Sequence, residues 1–122
     1  MYEVTIETSF SSAHNIRGYN GACENLHGHN WKVLVTVRSA ELDSLGMVID
    51  FKKLKAETKK AVERLDHKYL NDVPPFDKIN ATAENIAGFL FAQLSRAVNT
   101  DGVKVSRMRV WESDTSMAEY YE

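Results

Sequence analysis

Two stretches of this chain alternate apolar and polar residues with a period of two, and both place histidine on the apolar parity where the apolar pattern runs out. Over residues 2–14, Val4, Ile6, Phe10 and His14 share one parity, and Glu3, Thr5, Glu7 and Ser9 share the other. Over residues 27–38, His27 and His29 keep the parity of Trp31, Val33, Val35 and Val37. Successive side chains of a strand point to opposite faces of a sheet. The pattern therefore predicts two strands, each with a buried face that ends in imidazole. Residues 103–112 predict a third strand, in which Glu112 keeps the parity of Met108 and Val110. Val103 and Val105 have the opposite parity, which predicts a bulge near Ser106-Arg107. Three histidines and one glutamate thus fall where apolar faces end, and a buried ionisable group there needs a partner or a ligand.

The rest of the chain predicts what covers those faces. Asp50 is a good N-cap for a helix over 51–65, with Phe51, Leu54, Thr58, Ala61, Val62 and Leu65 at helical spacing. Thr82 caps a second helix whose stripe is Ile86, Phe89, Leu90, Leu94 and Val98. Residues 15–25 read as a loop, and residues 66–81, which contain Pro74-Pro75, as mostly irregular. Met47–Ile49 reads as a short extended piece and 116–121 as a final strand. The order β-β-α-α-β-β predicts one α+β domain over residues 1–122, an antiparallel sheet with two helices packed on one face. The other face carries Glu3, Glu7, Lys32, Arg38, Arg107 and Arg109. Its charges are sign-complementary, which suits cross-strand pairing on a solvated face or inside an oligomeric barrel.

Composition removes several classes of function. Apolar residues make up 43% and charged residues 26%, ordinary globular usage that excludes a disordered chain. No apolar run approaches the ~20 residues of a membrane helix. A net charge of −2 excludes a broad nucleic-acid footprint. One cysteine and no export signal point to a reducing cytoplasm.

The sharpest local motif is Cys23-Glu24-Asn25-Leu26-His27-Gly28-His29-Asn30. Residues i and i+2 of a strand point the same way, so His27 and His29 can bind one ion, and His14 can add a third imidazole. Three neutral nitrogens with an open position form the usual pattern of a catalytic zinc, against the bland reading of unrelated polar residues at a strand end. Ligand softness favours Zn²⁺ over Mg²⁺ and leaves Ni²⁺ or Fe²⁺ open. Cys23 is either a fourth ligand of a closed site, a thiolate base or nucleophile beside an open one, or an inert loop residue. Its polar neighbours favour reactivity. Asp66 follows a helix whose C-terminal dipole repels a carboxylate, and a residue that breaks a local rule is a candidate for function. With His67 it can form an acid–base pair, against two solvated helix-end residues. Glu112 can accept paired N–H groups from a guanidine-like ligand edge, or be a surface residue past the strand end. Lys52, Lys53, Lys59 and Lys60 read as a solvated helix face, and Trp31 as core.

Six ordered motifs resemble the 6-pyruvoyltetrahydropterin synthase/6-carboxytetrahydropterin synthase family. They are Phe10–His14 (FSSAH), Cys23–Asn30 (CENLHGHN), Gly46–Phe51 (GMVIDF), Leu65–Asp72 (LDHKYLND), Thr82–Asn85 (TAEN) and Trp111–Thr115 (WESDT). The resemblance implies zinc on His14, His27 and His29, a catalytic thiol at Cys23 and a relay at Asp66 and His67. It implies a pterin anchor at Glu112, with Thr82 and Ser113 in the substrate pocket. It also implies the tunnelling fold, in which trimers close a β-barrel, two trimers stack into a homohexamer and active sites lie between subunits. Cys23 stands four residues before His27, which resembles the bacterial 6-carboxytetrahydropterin synthases of the queuosine (7-deazaguanine) pathway. The animal pyruvoyl enzymes place it further upstream, and a variant branch carries glutamate there. The family often has Glu-Thr where this chain has Glu112-Ser113.

The implied activity is a zinc-dependent lyase converting 7,8-dihydroneopterin triphosphate to 6-carboxytetrahydropterin, with loss of triphosphate and acetaldehyde. The alternative within the class stops after triphosphate loss, at 6-pyruvoyltetrahydropterin. A reading of another class is a non-catalytic pterin- or metal-binding module, against which Cys23, Asp66 and His67 argue. No motif identifies the triphosphate-binding residues, for which Arg17, Lys32 and Arg107 are candidates.

Overall fold

β1 (Tyr2–His14) and β2 (His27–Ser39) pair antiparallel along their whole length in a computed structural model that describes residues 1–122. Val4 lies opposite Val37, Ile6 opposite Val35, Phe10 opposite Trp31 and His14 opposite His27. The two apolar parities therefore coincide on one sheet face, and the histidines meet at one end of it. β3 (Val103–Ser113) adds to β2, and β4 (Ser116–Tyr121) adds to β3, in the order β1-β2-β3-β4. All pairings are antiparallel, and the sheet is open, with β1 and β4 at its edges.

The expected bulge in β3 is present. Thr36 opposes Arg107 and Val37 opposes Val105, so Ser106 is the extra residue. Its Oγ lies 3.3 Å from the Thr36 carbonyl. The bulge lets Val105, Met108 and Val110 all be buried despite their mixed parity. A second irregularity was not anticipated. Trp111 opposes Met117 and Ser113 opposes Ser116, which leaves Glu112 without a partner on β4.

Two helices cover the apolar face. α1 (Phe51–Glu63) starts at Asp50, whose carboxylate accepts from the Lys52 N–H at 2.8 Å. It buries Leu54, Thr58, Ala61 and Val62, but Phe51, expected in that stripe, is exposed. The helix also ends earlier than its spacing predicted. The Leu65 and Asp66 N–H groups both turn back to the Val62 carbonyl, and Leu65 is buried in that closing turn. α2 (Ala83–Val98) starts at Thr82, whose Oγ1 accepts from the Asn85 N–H at 3.1 Å. It buries Ile86, Leu90, Phe91, Leu94 and Val98, while Phe89 is half-buried. α1 packs on β1 and α2, and α2 on β3 and β4. Met47–Ile49 forms bends rather than an extended piece. No helix is long and apolar enough to cross a membrane.

The polar face is paired, but through a different carboxylate than expected. Arg107 and Arg109 both bond Glu119 of β4, at 3.1 and 2.9 Å. Glu3 instead accepts from Ser106 Oγ at 3.1 Å. Lys32 Nζ lies 4.4 Å from the centroid of the Trp111 ring, a cation–π contact.

Candidate active site

His14 at the end of β1 and His27 and His29 at the start of β2 bring ligand nitrogens within 4.8 Å of one another. Their ring centroids are 4.5 to 5.1 Å apart. Trp31, fully buried, packs edge-on against two of them, 5.0 Å from His14 and 5.2 Å from His29. The packing fixes where the rings stand, and two backbone carbonyls fix how they turn. His14 Nδ1 lies 2.8 Å from the Ala81 carbonyl, and His27 Nδ1 lies 2.7 Å from the Asn25 carbonyl. A carbonyl only accepts, so each Nδ1 carries the proton and each Nε2 keeps its lone pair.

These lone pairs fit a metal ion. The Nε2 atoms of His14 and His29 are buried with no hydrogen-bond partner, a condition that costs about 1–3 kcal/mol for an unmet polar group. Burial is the main force lowering the pKa of both rings. For His14 the Ala81 carbonyl opposes it, and for both rings the Glu112 charge does. Depressed values favour the neutral imidazole that ligates a metal. Three neutral nitrogens suit a borderline transition metal rather than Mg²⁺ or Ca²⁺.

Glu112 stands beside the triad. Its Oε1 is 3.4 Å from His29 Nε2, and the side chain is about one-third exposed. The irregularity that unpairs Glu112 from β4 frees its carboxylate at the rim of the imidazole cluster, a recurrent use of bulges next to sites. Ser113 lies in the following turn, its Oγ 3.4 Å from Thr115 Oγ1. Thr82 is one residue beyond Ala81 and serves as the α2 cap.

Cys23 sits in a single 3₁₀ turn, Ala22–Glu24, and is half-buried. Its carbonyl accepts from the Ile16 N–H at 2.7 Å, which ties the cysteine's loop to the chain two residues past His14. The sulfur is not part of the group of clustered ligand atoms, which comprises the three imidazoles.

Asp66 and His67 form a real pair, with Nδ1 of His67 3.0 Å from Asp66 Oδ1. Asp66 follows the α1 C-cap, Arg64, by two residues, and its N–H bonds the Val62 carbonyl, so it stands at the helix end as expected. The Ser11 N–H donates to its Oδ1 at 2.9 Å. That bond first, and the His67 imidazole second, hold the carboxyl below the usual carboxylate range. His67 has φ 55°, a left-handed conformation uncommon for a non-glycine residue, and its N–H donates to the Ser11 carbonyl at 2.6 Å. His67 opens on a cleft of about 480 Å³ that it lines with Ser11, Ser12, Ala13, Gly28, His29 and Asn30. Ser11, Ala13, Gly28 and Asn30 have the parity that alternates with the imidazoles. Within one chain, then, the triad and Glu112 come together, and His67 opens on a cleft that reaches His29 but is lined mainly from the other side of β1–β2.

Two of the three cations named for a triphosphate are already engaged. The Arg17 guanidinium donates to the Phe76 and Ile79 carbonyls, at 2.7 and 2.9 Å, and Arg107 pairs with Glu119. The carbonyls of Asn25 and Ala81 were missed by sequence reasoning, since a backbone acceptor leaves no mark on residue type.

The family model described as 6-pyruvoyl tetrahydropterin synthase matches residues 3–122. The 6-carboxy-5,6,7,8-tetrahydropterin synthase of Haemophilus influenzae is 34% identical, over 100% of both chains. The protein of the same name from Synechocystis is 38% identical, over 99% of this chain and 94% of its own. The human 6-pyruvoyl tetrahydrobiopterin synthase is 33% identical, over 97% and 90%. Among solved structures, the 6-pyruvoyl tetrahydropterin synthase of Caenorhabditis elegans superposes with a TM-score of 0.84 at 29% identity, covering 100% of this chain and 97% of its own.

Proposed function

The chain belongs to the 6-pyruvoyl tetrahydropterin synthase family, and within it we propose that the protein is a zinc-dependent 6-carboxytetrahydropterin synthase of the queuosine pathway. It would convert 7,8-dihydroneopterin triphosphate to 6-carboxy-5,6,7,8-tetrahydropterin, acetaldehyde and triphosphate. The observation that carries the reading is the imidazole triad, with the Nε2 of His14 buried and unpartnered and the buried Nε2 of His29 3.4 Å from the Glu112 carboxylate. The four-residue spacing from Cys23 to His27 and the names of the Haemophilus and Synechocystis relatives favour the carboxy branch.

His14, His27 and His29 would hold Zn²⁺. When bound, the ion supplies Lewis-acid polarisation of the substrate's side-chain oxygens. Glu112 accepts two N–H groups from the amino-pyrimidine edge, a paired geometry that a carboxylate matches well. Thr82 and Ser113 border the pterin pocket. Cys23, as thiolate, removes a side-chain proton and returns it as the ring becomes a tetrahydropterin. Asp66 holds His67 through Nδ1, which leaves the other ring nitrogen to exchange protons with departing fragments. Loss of triphosphate leaves a three-carbon diketone. Water then adds to the inner carbonyl, and the carbon–carbon bond breaks to the ring carboxylate and acetaldehyde. Stopping before that hydration gives the pyruvoyl product, the activity named for the human relative. Purified zinc-loaded protein is expected to release triphosphate from 7,8-dihydroneopterin triphosphate. Tight pterin binding with no release would leave only a binding module.

The placement of Asp66 and His67 supports a site completed by a neighbouring subunit. The open sheet has β1 and β4 as its outer strands, and residues 66–69 bond the β1 edge only at Ser11 and Ala13. Tyr2, Leu42, Leu45, Met47 and Phe51 are exposed near the β1 edge and the α1 start. A homohexamer, a dimer of barrel-closing trimers in the cytoplasm, would cover both. Sedimentation equilibrium is expected to give six times the 13.8 kDa chain mass, and a stable monomer at micromolar concentration would contradict this arrangement.

A further inference from the structure

Two of the three residues that follow His14, Asn15 and Arg17, are each held by an asparagine side chain in the same way. The Asn71 side chain accepts from the Asn15 N–H at 3.1 Å and donates to the Asn15 carbonyl at 3.0 Å. The Asn80 side chain accepts from the Arg17 N–H at 3.0 Å and donates to the Arg17 carbonyl at 3.0 Å. Each side-chain amide thus satisfies both backbone groups of one residue, as a neighbouring strand would. Only Asn and Gln carry an acceptor and a donor on one planar amide, and the carboxylate of Asp can accept but not donate.

What these clamps hold is the acceptor of His14. Ala81, fully buried, directly follows Asn80, and its carbonyl is the one that takes the His14 Nδ1 proton. The segment before it is fastened from the same side, since the Arg17 guanidinium donates to the Phe76 and Ile79 carbonyls. The Asn80 carbonyl is itself held by Asn85 Nδ2, at 2.9 Å, in the first turn of α2. At the other end, Asn71 lies five residues past Asp66 and is buried. None of this is needed to form a helix or a sheet. It docks an irregular segment, 66–81, onto the residues between His14 and the Cys23 loop.

We propose that Asn71 and Asn80 are positioning residues of the imidazole triad. Their paired amide bonds to Asn15 and Arg17 keep the Ala81 carbonyl on His14 Nδ1, and so keep His14 in the tautomer whose Nε2 lone pair faces His27 and His29. The inference rests on the metal reading of the triad for one of its two readouts only. Orienting partners of this kind typically tune metal affinity about 10–100-fold.

The test uses metal-free full-length protein, its Asn71→Asp and Asn80→Asp variants, and Val103→Ala as a variant altered at the far end of β3. Nitrogen-15 NMR of labelled histidine reads the His14 tautomer without any metal, and Co²⁺ titration reads affinity per folded molecule. We expect wild-type His14 to carry its proton on Nδ1, and Val103→Ala to match it in both readouts. Each Asn→Asp variant should populate the Nε2–H form and bind Co²⁺ about 10–100-fold more weakly. An unchanged tautomer together with unchanged Co²⁺ affinity in both variants would overturn the proposal. If wild type binds no Co²⁺, the metal reading falls, and the tautomer alone decides the role of the clamps. If one Asn→Asp variant fails to fold, the other carries the test.

Discussion

Cys23→Ala is expected to give a folded, zinc-loaded protein that still binds pterin and turns over at least about a hundredfold more slowly. The expectation follows from where the sulfur is and where it is not. The clustered ligand atoms are three imidazole nitrogens, so the thiol is not required to hold the ion. The Cys23 loop is instead anchored by its backbone, through the Ile16 N–H. Removing the sulfur leaves that anchor and the three ligands intact. The lost function is proton transfer, for which a positioned group contributes about 10²–10⁴-fold. Metal analysis, thermal melting and steady-state kinetics on the same preparation check it. A variant that loses zinc and melts early would show Cys23 to be a structural ligand, since structural zinc contributes folding energy directly.

His27→Ala is expected to lose its metal, with zinc near zero after dialysis against a mild chelator. Two of the three ligands cannot replace the third. His14 is fixed by Ala81 and by Trp31, and His29 by Trp31 and its place on β2. The loss should exceed the 10–100-fold effect of removing an orienting partner, because the ligand itself is gone. Elemental analysis of wild type and variant, purified side by side, measures this. Zinc retained at full occupancy would take His27 out of the site. Turnover should fall with the metal, and circular dichroism should stay close to wild type, because His27 belongs to a strand end rather than to the buried apolar cluster.

The parts of the site carried by a two-residue period were legible before any coordinates. His14, His27 and His29 shared the phase of residues that had to be buried, and antiparallel pairing then brought strand ends together. Glu112 was legible in the same way, because the Ser106 bulge could be inferred from the parity change along β3. What escaped was set by backbone groups. The early end of α1 depends on two N–H groups sharing the Val62 carbonyl, and from that closing turn the Asp66 carboxylate accepts from the Ser11 N–H of β1. The tautomers of His14 and His27 depend on two carbonyls. Arg17 looked like a free cation until the Phe76 and Ile79 carbonyls were seen to occupy it. The side of the sheet on which His67 opens follows from the path of an irregular segment, for which residue types give little guidance.

The most direct test of the proposed activity is mass spectrometry of the products formed by purified, zinc-loaded protein from 7,8-dihydroneopterin triphosphate. The expected products are 6-carboxy-5,6,7,8-tetrahydropterin and acetaldehyde in equal amount. Accumulation of 6-pyruvoyltetrahydropterin with no acetaldehyde, or recovery of unchanged substrate, would contradict it.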